Sequence, residues 1–68
     1  MEIFAERLKE LRLEKNLTQA QLAKETGLSQ AGLAHWETCQ RIPNGLAIVT
    51  LAKYFGVTTD YLLGVNDD

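Results

Sequence analysis

The chain has 68 residues, of which 46% are hydrophobic and 24% charged, with one Pro, one Cys and a net charge of −2. That size and balance are expected to give a single domain, residues 1–68, with one core, and they exclude a disordered chain, a disulfide scaffold and a membrane-spanning segment. Cys39 has no partner for an intramolecular disulfide, and Glu2, Glu6 and Arg7 interrupt the apolar run that a signal peptide needs, so a reducing, cytoplasmic setting is expected.

Phe4, Leu8 and Leu11 recur at helical spacing among Glu6, Lys9, Glu10, Arg12, Glu14 and Lys15, which predicts an amphipathic helix over 2–15. Asn16, tolerant of the left-handed conformation, ends it. Thr18 with Gln21 makes a capping-box pattern that opens a second helix reaching about Glu25, and Gly27 closes it. Ser29 caps a third helix, with Leu33 and Trp36 as its apolar stripe and an end near Thr38. Pro43 and Asn44 mark a loop, and Leu46, Ile48, Val49, Ala52 and Phe55 build an apolar fourth helix that stops at Gly56. Thr58 or Thr59 caps a last short helix carrying Tyr61, Leu62 and Leu63, halted by Gly64. The expected fold is all-α, with no strand pattern and no repeat.

Net charge argues mildly against a nucleic-acid partner, but its distribution does not. From Thr26 to Thr59 the only acid is Glu37, so the middle of the chain can tolerate a phosphate.

The second and third helices are joined through Thr26, Gly27 and Leu28, the short connection of a helix-turn-helix at about 18–38. Leu11-Arg12, Thr18-Gln19, Leu22-Ala23, Gly27 and Ser29, followed by Trp36-Glu37, Pro43 and the run Leu51 to Val57, resemble the Cro/CI (XRE) family of phage and bacterial repressors. The likeness extends from about Phe4 to Gly64. It implies a lambda-repressor-like bundle of five helices whose third helix enters the major groove while the second lies across the phosphate backbone. The function implied is sequence-specific binding of double-stranded DNA by a transcriptional regulator, as a homodimer on a two-fold operator with half-sites about 34 Å apart.

In that frame Gln30 occupies the first turn of the reading helix, where its amide can pair with N6 and N7 of adenine. The resemblance also implies that Gln19 bonds both a phosphate and Gln30; the plain alternative is two solvated glutamines. Ala31 suits a thymine methyl, and Ala34 and His35 continue the same face, although an idle exposed His is a close rival reading. Gly32 costs about 1 kcal/mol against Ala inside a helix, so it requires a reason, and close approach to the bases is the one favoured over mere filler. Thr18, Gln19, Ser29, Thr38, Gln40 and Arg41 are the expected backbone contacts, with Lys15 and Lys24 adding charge nearby. The family likeness makes Arg12 and Glu37 a structural ion pair between the first and third helices. Tyr61, Leu62 and Leu63 form the expected dimer patch.

Two residues depart from the family pattern. Cys39 stands where Gly is usual, which predicts a third helix that runs on or ends with strain, and Gly45 replaces an apolar residue at the start of the fourth helix. His35 and Cys39 lie four apart, but no further His or Cys completes a zinc site, and the single His has no nucleophile partner. Neither metal, cofactor, small-molecule ligand nor enzymatic activity is expected. The rival function for the same fold is a protein-interaction module, an antitoxin-like partner, which the acidic net charge would suit.

Overall fold

The computed structural model describes residues 2–65, and among them five helices follow one another with no strand. They are α1 (Glu2–Glu14), α2 (Gln19–Thr26), α3 (Gln30–Glu37), α4 (Gly45–Phe55) and α5 (Thr59–Leu63). The predicted order holds, with ends differing by one residue where α1 stops at Glu14, α2 continues to Thr26 and α3 ends at Glu37. Each of the last four helices opens on a short polar side chain that accepts an otherwise unpaired first-turn amide. Thr18 Oγ1 accepts from Gln21 N at 3.0 Å while Gln21 Oε1 accepts from Thr18 N at 2.8 Å, completing the capping box. Ser29 Oγ accepts from Gly32 N at 3.1 Å, Asn44 Oδ1 from Ala47 N at 2.8 Å and Thr58 Oγ1 from Tyr61 N at 2.9 Å. The Asn44 cap secures α4 at Gly45, its first residue.

Four helix ends share one plan. After α1, α3, α4 and α5 the chain turns through a residue of positive φ: Asn16 at 56°, Cys39 at 62°, Gly56 at 69° and Gly64 at 71°. At each, two successive amides bond back onto the last carbonyls, as Gln40 N does to His35 O at 2.8 Å and Cys39 N to Trp36 O at 3.3 Å. Cys39 therefore ends α3 on schedule, in a conformation that suits glycine better. At Gly64 space forbids a side chain as well, because a Cβ would stand 2.8 Å from Ile3 Cγ2.

Every helix contributes to one core, in which Phe4, Leu8, Leu22, Leu33, Leu51 and Leu62 are all below 2% exposed. α3 packs on α1 and α2, and α5 packs on α1 and α4. In α4 the buried row is Ala47, Leu51 and Ala52, with Ile48 and Phe55 packed against the core at its edge. Leu46, 75% exposed, and Val49, 42% exposed, point away from that row, so the apolar character of α4 extends beyond its buried face.

Leu62 corrects an expectation. It is 0% exposed and sits in the core cluster, so it cannot form part of a dimer patch. α5 is a single turn and a half long; the residue it turns inward to close the core is lost to any partner. The Arg7 guanidinium lies 4.3 Å from the centroid of the Tyr61 ring and also donates to the Tyr61 carbonyl oxygen, so one face of that ring is covered as well.

Candidate nucleic-acid interface

The inner side of α3 is fixed at three places. Leu33 is fully buried, Trp36 packs against the core, and Glu37 accepts from both Arg12 Nε at 2.8 Å and Arg12 Nη2 at 2.9 Å. Arg12 Nη1 also donates to Leu17 O at 2.8 Å, so one guanidinium ties the end of α1, the turn before α2 and the end of α3. The side chains of the pair are 11% and 3% exposed. The hydrogen bonds to Glu37 raise the Arg12 pKa above its ordinary value, outweighing the opposing effect of burial. Such a forked pair orients its elements with little freedom in angle.

The outer side of α3 carries the predicted readers. Gln30 and Ala31 are exposed, and Ala34 and His35 are half-buried. Ala31 and His35, one turn apart, line a groove of about 490 Å³ together with Ser29, Gly32, Trp36, Arg41, Ile42 and Asn44. Ile42, 75% exposed at its rim, is a residue that the sequence reading passed over because nothing in its local pattern marks it. Gly32 has a packing reason: a Cβ there would lie 3.2 Å from Trp36 Cζ2, so the missing side chain makes room for the indole. Gly32 thus has a packing reason beside the expected approach to bases.

Polar groups around this face divide by what they have left to donate. Ser29 Oγ accepts within the helix and keeps its own proton for an outside acceptor. Thr38 Oγ1 instead gives its only proton to Ala34 O at 3.0 Å and His35 O at 3.3 Å, so it has none for a phosphate, contrary to its expected role. Gln40 and Arg41 are exposed in the turn beyond α3. His35 Nδ1 and Gln40 Oε1 are 2.7 Å apart.

At the start of α2, Thr18, Gln19 and Ala20 border a concavity that also contains Arg12, Leu17 and Gln30. The amides of Gln19 and Ala20 lie in the first turn, where helix geometry provides no acceptor and the dipole favours an anion. Gln19 and Gln30 thus share one hollow, but they are not paired as expected. Gln19 Nε2 donates to Glu37 Oε1 at 3.1 Å, because the charged carboxylate is a stronger acceptor than a neutral amide. Glu37 is therefore the hub of Arg12 and Gln19 together. Lys15, expected to add charge, lies over the Tyr54 ring at 5.5 Å from its centroid.

Among the described residues no carboxylate lines the groove, and the one acid between Thr26 and Thr59, Glu37, is neutralised by Arg12. Among the described residues no group of three or more His, Cys, Asp or Glu is placed to hold a metal ion, and no helix is long and apolar enough to cross a membrane.

Two short helices joined at Gly27, the second braced from beneath and bare on its outer side, define a helix-turn-helix domain. The helix-turn-helix family model matches residues 8–62, and the chain belongs to that family, the DNA-binding transcriptional regulators of Cro/CI type. It is similar to the HTH-type transcriptional activator BcrR of Enterococcus faecalis, 42% identical over 60 residues, covering 88% of this chain and 29% of that protein. It is likewise similar to repressor protein C2 of Salmonella phage P22, 32% identical over 62 residues, covering 91% of this chain and 29% of that protein. The chain therefore spans less than a third of the length of either regulator. Among solved structures, the P22 c2 repressor in complex with a synthetic operator matches with a TM-score of 0.80 and 32% identity, over 87% of this chain and 89% of that one. These relatives carry the names of regulators and repressors, and the chain is classed with them rather than with enzymes.

Proposed function

We propose that the chain binds double-stranded DNA in a sequence-specific manner and regulates transcription as a Cro/CI-type repressor. α3 enters the major groove, with Gln30, Ala31, Ala34 and His35 toward the bases. Thr18, Gln19, Ser29, Gln40 and Arg41 meet phosphates on either side. The observation that carries this reading is the outer face of α3: small or polar readers on a rigidly held helix, in a groove that contains Arg41 and, among the described residues, no carboxylate. The complex of the P22 c2 repressor with a synthetic operator supports the same use of the fold.

The protein acts as a homodimer on a two-fold operator, with half-sites about one helical turn, roughly 34 Å, apart. With Leu62 buried and Tyr61 half covered by Arg7, the dimer patch comprises Leu63 with Ile3, 43% exposed, and Val65, 71% exposed. It works in the cytoplasm, without metal or cofactor.

Selection of binding sites from random DNA at controlled salt tests the reading. We expect a pseudo-palindromic preferred site and an affinity that falls steeply with salt, roughly one power of salt per phosphate neutralised. A protein-interaction module of the same fold would select no sequence and respond weakly to salt.

A further inference from the structure

The reading helix and the turn behind it are coupled through one hydrogen bond. His35 Nδ1 and Gln40 Oε1 lie 2.7 Å apart, across the end of α3. With the Gln40 amide oxygen facing the ring, the oxygen accepts and the ring donates, which places the hydrogen of the neutral imidazole on Nδ1. Nε2 then holds a lone pair. The Gln40 amide nitrogen, with two hydrogens, stays available on the exposed side of the turn.

We propose that Gln40 is a specificity-determining residue that acts through His35: by fixing the Nδ1–H form it makes Nε2 a hydrogen-bond acceptor, and so selects a base with an exocyclic amine. This rests on the DNA reading above. His35 shares its groove face with Ala31 and Arg41, where a base edge would lie. In the major groove the donors are cytosine N4 and adenine N6, whereas guanine and the thymine ring edge offer only acceptors there. The opposite ring form, with its hydrogen on Nε2, would prefer guanine or thymine. Gln40 is thus a positioning residue with two ends: the oxygen sets the ring and the amide nitrogen meets a phosphate, so backbone contact and base choice are linked.

The turn makes the coupling possible. Gln40 N bonds to His35 O at 2.8 Å across the positive-φ Cys39, which brings residue 40 back beside residue 35 in both backbone and side chain. Without that reversal Gln40 would project beyond the helix.

Two substitutions at this exposed position separate the two ends. Gln40→Met removes both the acceptor and the donors, while Gln40→Glu keeps an acceptor for Nδ1–H but repels phosphate. Nitrogen-15 NMR of the ring of the DNA-free protein, above about pH 8 where an ordinary His is neutral, is expected to show Nδ1–H in the wild type and in Gln40→Glu. Gln40→Met should shift toward Nε2–H. In site selection at that same pH, where the ring is neutral, the wild type and Gln40→Glu should prefer adenine or cytosine at one position by about three- to tenfold, the scale of one net hydrogen bond. Gln40→Met should lose that preference and no other, and Gln40→Glu should bind every sequence more weakly. An Nε2–H ring in the wild type overturns the proposal. A wild type that selects its site while Gln40→Met leaves every base preference intact overturns this inference alone; a wild type with Nδ1–H that selects no sequence overturns the DNA reading and this inference with it.

Discussion

The two sides of α3 are built on opposite terms. Its inner side is saturated with contacts: Leu33 without exposed surface, Trp36 over Gly32, and Glu37 held by Arg12 and Gln19. Its outer side makes few contacts, with Gln30 and Ala31 open and His35 tied only to the turn that follows. The difference teaches that position and reading are separable properties of one short helix. An α-helix of 8 residues is too short to hold itself, so its bearing in space comes from the inner side, and the outer side can stay bare without becoming loose.

The largest break in this comparison comes from the inner side. Leu33→Ala removes a fully buried side chain and should cost about 2–5 kcal/mol, a large part of the roughly 3–10 kcal/mol available to a domain of this size. A urea melt should show the loss directly. DNA affinity should fall only as the folded fraction falls, with base preferences unchanged. Altered preferences in the folded remainder would mean that the two sides are not separable.

Glu37→Ala is the next largest, at about 3 kcal/mol, the low end for a buried pair because Arg12 retains some exposure. It leaves a guanidinium in the interior and removes the partner of Gln19 at the same time. The double substitution Arg12→Met with Glu37→Leu should recover most of that stability, since neither charge is then stranded. If it recovers stability but not DNA affinity, the network's contribution lies in holding Gln19 and α3 in register. Full recovery of both would reduce it to packing.

On the outer side the expected effects are smaller and appear only in binding. Gln30→Ala should leave the melt unchanged and cost about 1–3 kcal/mol on the preferred site, relaxing one base position. Arg41→Ala should weaken all sequences alike and lower the salt slope by about one. An equal loss on every sequence for Gln30→Ala would move it from the reading set to the backbone set.

What could be read from the sequence follows the same division. Helix starts were legible because a cap is local: Thr18, Ser29, Asn44 and Thr58 lie within three residues of the amides they accept from. The Arg12–Glu37 pair was legible only through family likeness, since its members are 25 positions apart. Exposure in short or strongly apolar helices was not legible. Nothing in Tyr61-Leu62-Leu63 says which residue turns inward, and in α4 apolar residues on all sides hide the direction of the buried row. The switch of Gln19 from Gln30 to Glu37 was hidden for a related reason: it depends on where the ends of α2 and α3 meet, a tertiary fact with no local sign.

The smallest effect lies where the two sides join. Cys39 has φ 62°, in the place where Gly56 and Gly64 end α4 and α5 in the same kind of turn. A non-glycine residue there carries about 1–2 kcal/mol of strain. Replacing it by glycine relieves the strain but frees the unfolded chain by about 0.4–1 kcal/mol. Cys39→Gly should therefore stabilise by about 0.5–1 kcal/mol and raise the melting temperature by roughly 4 °C. Because Gln40 and Arg41 follow directly, the same variant probes whether this turn must be stiff to place them. A higher melting temperature with unchanged site preference would make the strain incidental. A higher melting temperature with a lost preference at the His35 position would mean that a non-glycine residue holds the turn rigid enough for Gln40 to reach the ring.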